Sequence, residues 1–270
     1  MPLLENLFGV DKPIIGVVHL KPLPGSPDYE GAFREIVERA LSDAKSLADG
    51  DVDGIIIENY GDKPYPKDTA EEHTIAAMSV VAWEIKKELR IPVGINILRN
   101  CSKAAMAIAS IVDASFIRVN VFSYAMLTDQ GIIEPNSAEL LRYRRFLGSN
   151  VKIFADVLVK HAFSLVPIEM KRMARDTYLR AGADVLILTG EETGVAPKLE
   201  ALKEVKKYIS APILAGSGVN VGNIEKILSI ADGAIIGTYF KKNGITAERV
   251  DPERVRKIMS IVSDIRKRNR

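Results

Sequence analysis

The feature that most constrains how this chain folds is an alternation, repeated eight times, of a short apolar run with a longer amphipathic segment. The apolar runs are three to seven residues long, and valine and isoleucine dominate them, as in strands buried on both faces of a parallel sheet. The predicted strands are Ile14–Leu20, Val52–Glu58, Val93–Ile97, Ser115–Val119, Lys152–Val157, Asp184–Leu188, Ile213–Ala215 and Gly233–Ile236.

The intervening segments place apolar residues three and four positions apart, which is typical of helices that pack on a sheet. The predicted helices are Phe33–Ala48, Ala70–Leu89, Ser102–Ile111, Ser137–Leu147, Ile168–Ala181, Lys198–Ile209, Val221–Ser229 and Pro252–Lys267. Eight strand–helix units in 270 residues predict an α/β chain that forms a single (β/α)₈ TIM-barrel domain over residues 1–270. A doubly wound sheet is the alternative, but no Gly-x-Gly-x-x-Gly follows the first strand.

Composition excludes several classes of partner. The net charge is +2, and the one basic run, Arg266–Arg268, suits a solvated helix end better than a nucleic-acid site. No apolar stretch approaches the ~18 residues of a membrane span, and the first residues lack the pattern of a signal peptide. The single cysteine, Cys101, rules out an internal disulfide, so we expect a cytoplasmic protein.

Polar residues collect at the carboxyl ends of the predicted strands, the end at which (β/α)₈ barrels carry their sites. Side chains alternate along a strand, so the last inward-facing residue of each strand can be read from its sequence. These residues are His19, Glu58, Asn96, Arg118, Asn120, Asp156 and Thr189, followed by Ser217 and Gly237-Thr238 in the last two units. Burying so many polar groups is costly without a ligand or a network, so the pattern predicts a binding site.

Four of these polar residues are candidate catalytic groups: His19, Glu58, Asp156 and Lys160. His19 suits a general acid or base, and Lys160, just after the fifth strand, suits a Schiff base, an oxyanion contact or an ion pair. Glu58 and Asp156 form either a carboxylate pair for proton transfer or a hard-metal site, or they are structural partners of Arg118 or Lys160.

Ligand binding is predicted for Asn96, Arg118, Asn120, His161 and Thr189. The sequence has no zinc or dinucleotide motif, and Cys101 lacks a triad, so no cofactor is assigned and only Mg²⁺ bound together with a ligand phosphate remains open.

Two glycine turns predict a phosphate site. Gly216-Ser217-Gly218-Val219 follows the seventh strand and Gly237-Thr238 follows the eighth, where (β/α)₈ barrels commonly bind phosphate through backbone N–H groups. Three long loops, residues 21–29, 59–69 and 121–135, are predicted to cover the opposite side of the site. They would serve equally as contacts in a homo-oligomer.

Several segments resemble the BtpA family: GVVHLKPLPGSP after the first strand, DVDGIIIEN, GINILRN, FIRVNVF with DQGIIE, FADVLVKHA and AGSGVN. The resemblance implies a TIM barrel of the ribulose-phosphate-binding type. It also implies either a role in photosystem I biogenesis or an activity on sugars or nucleotides. This chain reads Asn100-Cys101 where such sequences often read asparagine-aspartate.

Two functions follow from these observations. The first is an enzyme, a lyase, isomerase or hydrolase, that acts on a small phosphorylated metabolite such as a sugar phosphate or nucleotide. The second is a non-catalytic assembly factor that keeps a phosphate pocket. The convergence of polar strand ends favours the enzyme, because a scaffold has no need of it.

Overall fold

The computed structural model describes residues 2–190 and 194–268. Its strands are β1 (Ile14–His19), β2 (Gly54–Glu58), β3 (Val93–Asn96), β4 (Phe116–Val119), β5 (Met126–Thr128), β6 (Gly131–Ile133), β7 (Lys152–Asp156), β8 (Ala162–Ser164), β9 (Val185–Thr189), β10 (Ile213–Gly216) and β11 (Gly233–Ile236). Eight of them pair in parallel and close into a barrel in the order β1-β11-β10-β9-β7-β4-β3-β2. The predicted TIM barrel is confirmed.

One helix precedes the first barrel strand, and the others follow barrel strands on the outside. The helices are α1 (Leu3–Phe8), α2 (Phe33–Ala48), α3 (Glu72–Glu88), α4 (Ser102–Ile111), α5 (Ser137–Phe146), α6 (Met170–Leu179), α7 (Leu199–Tyr208), α8 (Ile224–Leu228) and α9 (Pro252–Arg268). Short 3₁₀ turns at Thr238–Phe240 and Lys242–Gly244 separate β11 from α9. Helix α8 is shorter than the predicted Val221–Ser229, since hydrogen-bonded turns around Asn220 and Asn223 occupy the start of that segment. Among the described residues, no helix is long and apolar enough to cross a membrane.

The core has two layers, one inside the barrel and one between the strands and the helices. Ile15, Val17, Ile56 and Phe154 lie inside, as the alternation along their strands predicts. The rings of Phe116 and Phe154 stack with their centroids 4.3 Å apart and fill the lower part of the barrel. Large aromatic side chains therefore fill the end opposite the polar strand ends.

The sequence analysis did not anticipate helix α1, which closes the amino-terminal end of the barrel. Leu4 and Phe8 belong to the inner core, and the ring of Phe8 lies 6.0 Å from Phe116 and 6.4 Å from Phe154, centroid to centroid. An ideal Cβ on Gly54 would lie 2.6 Å from the ring of Phe8, so the glycine at the start of β2 leaves the space that this ring occupies.

The segment 121–135 is not the irregular loop that the sequence analysis predicted. It contains the hairpin β5–β6, and β8, from the loop after β7, pairs with β5 to complete a three-stranded antiparallel sheet. Met126 and Ile133 are buried beneath this sheet, which anchors it to the barrel. This small sheet stands beside the carboxyl-terminal end of the barrel.

Replacing Phe8 with alanine is expected to lower the free energy of unfolding by about 3–5 kcal/mol, because the change leaves a cavity among packed aromatic rings. Denaturant titration followed by circular dichroism measures this loss. Phe146, which is 83% exposed, provides the control, and its replacement by alanine should change stability by less than ~0.5 kcal/mol. Equal effects of the two substitutions would show that α1 does not close the barrel.

Candidate functional site

Arg118 lies at the centre of the mouth of the barrel, the carboxyl-terminal end of its strands. Its Nε and Nη2 donate to the two carboxylate oxygens of Asp156 at 3.2 and 3.1 Å, and its Nη1 donates to Oε1 of Glu58 at 3.0 Å. All three residues are buried. Burial alone would lower the pKa of Arg118, but the charges of Asp156 and Glu58 outweigh it and raise that pKa. Arg118 is therefore a permanent cation held by strands β2, β4 and β7.

Two asparagines extend this network. Asn120 donates from Nδ2 to Oδ2 of Asp156 at 2.8 Å, and Asn96 donates to Oδ1 of Asn120 at 3.1 Å and to the carbonyl of Arg118 at 2.9 Å. Both oxygens of Asp156 are thus occupied. Of the three roles that the sequence analysis left open for Asp156, this geometry favours the structural partner of Arg118.

His19 stands beside this network as a neutral imidazole. Burial, together with the positive charges of Lys241 and Lys160, lowers the pKa of His19 well below its usual range. Its Nε2 lies 4.0 Å from Oε2 of Glu58, and its buried Nδ1 has no hydrogen-bond partner among the described residues. The ring lies against Gly237, where an added Cβ would approach its Cε1 to 2.8 Å. The glycine after β11 therefore makes room for the histidine.

Lys160 follows β7 and reaches the same region. Burial, followed by the positive charge of Arg118, lowers the pKa of Lys160 to about 8, although Glu58 and Asp156 oppose this shift. An amine with this pKa is partly unprotonated near neutral pH and can act as a base or a nucleophile.

A small cavity of about 230 Å³ opens between these residues and the two glycine turns. Nine of the residues that the sequence analysis assigned to the site line this cavity: His19, Glu58, Arg118, Lys160, Ser217, Gly218, Val219, Gly237 and Thr238. Ser217 and Gly218 both adopt the left-handed backbone conformation, with φ of 68° and 61°, so the chain turns sharply after β10. Within residues 2–190 and 194–268, the N–H groups of Gly218, Val219, Thr238 and Tyr239 donate to no protein oxygen. They remain available to an anion in the cavity.

Sequence reasoning missed Arg254, which also lines the small cavity. It projects from the first turn of α9, donates from Nε to the carbonyl of Tyr239 at 2.5 Å, and stacks its guanidinium 4.3 Å from the centre of the Tyr239 ring. The signal was present, since Asp251-Pro252 marks the start of the helix after the eighth strand. Arg254 lies in that first turn and contacts Tyr239, two residues after Gly237.

A large cleft of about 1520 Å³ adjoins the small cavity and shares Glu58, Arg118 and Lys160 with it. The predicted binding residues Asn120, His161 and Thr189 line this cleft, whereas Asn96, Asp156 and Gly216 are buried and are not among the described lining residues of either cavity. Most of its wall is apolar, with Leu98, Leu127, Leu158, Val159, Ala162, Phe163, Met170, Val195, Ala196, Pro197 and Ala201.

Two of the three predicted covering loops border the large cleft. Tyr60, Lys63, Pro64 and Tyr65 come from the loop after β2, and Leu127, Thr128 and Asp129 come from the β5–β6 hairpin. The loop 21–29 instead contacts the loop after β2, because the N–H of Leu23 donates to Oδ1 of Asp62 at 2.8 Å. No residue of this loop is among the described lining residues of either cavity.

The described residues around Cys101 do not favour a reactive thiol. Cys101 is buried, and burial raises the pKa of its thiol to about 12, which disfavours the reactive thiolate. Within the described part of the chain, no three His, Cys, Asp or Glu residues are grouped so as to hold a metal ion.

The sequence matches the BtpA family over residues 10–264. The chain belongs to the BtpA family. An uncharacterised protein of Methanocaldococcus jannaschii is 45% identical over 94% of this chain and 97% of its own length. The photosystem I biogenesis protein BtpA of Synechocystis is also 45% identical, over 93% of this chain and 88% of its own length.

Solved structures share the barrel of this family member at low sequence identity. N-(5'-phosphoribosyl)anthranilate isomerase from Pyrococcus furiosus is 14% identical, with a TM-score of 0.59 over 94% of this chain and 99% of that one. Geranylgeranylglyceryl phosphate synthase from Thermoplasma acidophilum, solved with sn-glycerol-1-phosphate, is 14% identical, with a TM-score of 0.59 over 99% of both chains. These likenesses support the fold alone.

Replacing Lys160 with methionine is expected to stabilise the protein at pH 7 by about 1–3 kcal/mol, since one pKa unit corresponds to about 1.4 kcal/mol. Between pH 8 and the ordinary lysine value of 10.5, the unfolded chain binds the proton more tightly than the folded protein. Wild-type stability therefore rises with pH across this window, and the advantage of Lys160→Met should shrink.

Denaturant titrations of both proteins at pH 7, 8.5 and 10 measure this difference. Lys203→Met, at an exposed helix position, is the control and should show no comparable pH-dependent gain. A Lys160→Met variant that is less stable than wild type at pH 7 would contradict the assignment of Lys160 as a desolvated cation.

Proposed function

We propose that this protein is an enzyme that acts on a small phosphorylated metabolite, whose phosphate binds in the small cavity. One observation carries the proposal: two glycine turns, whose described N–H groups at Gly218, Val219, Thr238 and Tyr239 are unpaired, line one cavity together with Arg254, Lys160 and His19. N–H groups and arginine are the donors that bind phosphate in proteins. The same cavity thus combines anion-binding groups with groups that can move protons.

Chemistry would take place where the small cavity meets the large cleft. Glu58 uses Oε1 for Arg118, which leaves Oε2, directed toward His19, to accept a proton from the ligand. Lys160 would act as a base or a nucleophile, and Arg118 would stabilise negative charge that develops on an oxygen. Neutral His19 would donate or accept a hydrogen bond at the ligand. These roles suit a lyase, an isomerase or a hydrolase.

The structural neighbours add support. The titles of two of them, N-(5'-phosphoribosyl)anthranilate isomerase and geranylgeranylglyceryl phosphate synthase, name phosphorylated compounds. A phosphorylated ligand in this chain is consistent with the glycine turns after the last two barrel strands. We place this activity in the cytoplasm on the basis of the single, buried cysteine.

A second candidate function is assembly of a protein complex, in which the phosphate pocket would be retained without catalysis. It is favoured by the 45% identity with the relative named a photosystem I biogenesis protein. The two functions differ in whether a bound phosphate compound is chemically changed.

Phosphate binding is tested by a thermal-shift screen against phosphorylated sugars, nucleotides and inorganic phosphate, with and without Mg²⁺. A ligand present at ~100 times its dissociation constant stabilises the folded protein by about 2.7 kcal/mol. Arg254→Gln should reduce the affinity at least tenfold, because it removes a charged donor from the small cavity. Arg256→Gln, an exposed arginine on the same helix, should bind as wild type does. No stabilisation by any of these phosphate compounds would refute the proposal.

Catalysis is tested on the ligands that bind. Each is incubated with wild-type protein and with Glu58→Gln, and the products are identified by mass spectrometry or NMR. We expect turnover that falls about 10²–10⁴-fold in Glu58→Gln, the usual contribution of a general acid or base. Binding without turnover of any bound compound by wild-type protein would favour the assembly function instead.

A further inference from the structure

The arrangement of the two cavities determines which way a bound phosphate compound extends. Glu58, Arg118 and Lys160 line both cavities, so they form the passage between them. The small cavity, at about 230 Å³, lies below the roughly 300–1,000 Å³ of usual ligand sites. A compound whose phosphate lies there therefore places its remaining atoms past these three residues and in the large cleft.

The wall of the large cleft is mainly apolar, while Lys63, Arg99, Asp129 and Lys198 also border it. Its volume, about 1520 Å³, exceeds that of usual ligand sites. Leu158 and Met170 contribute from the β7 and α6 side, Val195 and Ala201 from the loop and helix after β9, and Leu127 and Phe163 from the small antiparallel sheet. A hydroxyl-rich sugar in this space would leave most of the apolar wall without a matching partner.

The small sheet continues this apolar wall outward. Leu127 pairs with Ile132 on one neighbouring strand and with Phe163 on the other, so the three side chains form one row across the sheet. They are 46%, 45% and 73% exposed. Contiguous apolar side chains at the edge of a cavity are typical of a surface that a ligand or partner covers.

We propose that the large cleft binds a bulky hydrocarbon or aromatic group, and that the substrate is the phosphate ester of such a group. This inference rests on the proposed function, because the phosphate in the small cavity directs the apolar group into the cleft. The row Ile132-Leu127-Phe163 then forms the outer part of the binding surface. The reacting bond lies near the passage residues Glu58, Arg118 and Lys160, between the anchored phosphate and the anchored apolar group.

The test compares two phosphate monoesters that differ in their organic part, sn-glycerol 1-phosphate and n-octyl phosphate, by isothermal titration calorimetry below the micelle concentration of the octyl ester. We expect n-octyl phosphate to bind at least about tenfold more tightly, because burial of only a few methylene groups gives such a factor. Ribose 5-phosphate, bulky but polar, should bind no more tightly than glycerol phosphate.

Substitutions by an uncharged residue show which side chains provide the tighter binding of n-octyl phosphate, without changing the charge of the site. Leu127→Asn combined with Phe163→Asn should abolish the preference for n-octyl phosphate and leave the affinity for glycerol phosphate unchanged. The matched control combines Ile111→Asn with Phe146→Asn, which are 77% and 83% exposed and lie outside both described linings. This control should keep the preference. Circular dichroism verifies that both double variants fold.

The outcomes separate this inference from the proposed function. Equal affinities of wild-type protein for the two esters, or a preference that survives in the Leu127/Phe163 variant, would overturn the assignment of the cleft while phosphate binding stands. Absence of binding by either ester would refute the phosphate site itself. If the Leu127/Phe163 variant changes the molecular mass in light scattering and keeps the octyl preference, the row is an interface between copies and the inference is wrong.

Discussion

The ion network of Arg118 with Asp156 and Glu58 is the interaction on which the mouth of the barrel depends. The three charges come from β4, β7 and β2, which lie within four consecutive strands of the barrel, so their contacts depend on these strands pairing in register. Burying three ions is costly unless their geometry is good, and removing one partner leaves an uncompensated charge. The network therefore links the register of these strands to the placement of the candidate catalytic groups, and it pairs one cation with two carboxylates beneath the candidate site.

The charges of this network also determine the state of its neighbours. Burial, together with nearby cations, keeps His19 neutral and brings the pKa of Lys160 to about 8. The protonated forms of His19 and Lys160 are less stable in this environment than they would be in water. Such destabilised ionisable groups are more common at functional sites than at purely structural positions. Both oxygens of Asp156 accept hydrogen bonds from Arg118 and Asn120, which favours a supporting role, whereas Glu58 and Lys160 line both cavities, as the proposed catalytic roles require.

Features that repeat along the sequence could be predicted, and features that depend on distant contacts could not. Strand and helix periodicity identified the eight units and the inward-facing residues, because alternation along a buried strand is a local property. Helix α1 has six residues, too few for a helical period to stand out. The strands β5 and β8 have three residues each and lie more than thirty positions apart, so only the folded barrel brings them together.

The same distinction between local patterns and distant contacts applies to the candidate site. Sequence parity located the polar strand ends, and the residue pattern after the last two strands located the glycine turns, which we propose to bind the phosphate end of a ligand. The rest of the ligand is defined by loops, by the β5–β6–β8 sheet and by the segment after β9, whose side chains meet only in three dimensions. Because loops vary while the barrel stays constant, the residues that distinguish this chain from other proteins with the same barrel are expected on the walls of the large cleft.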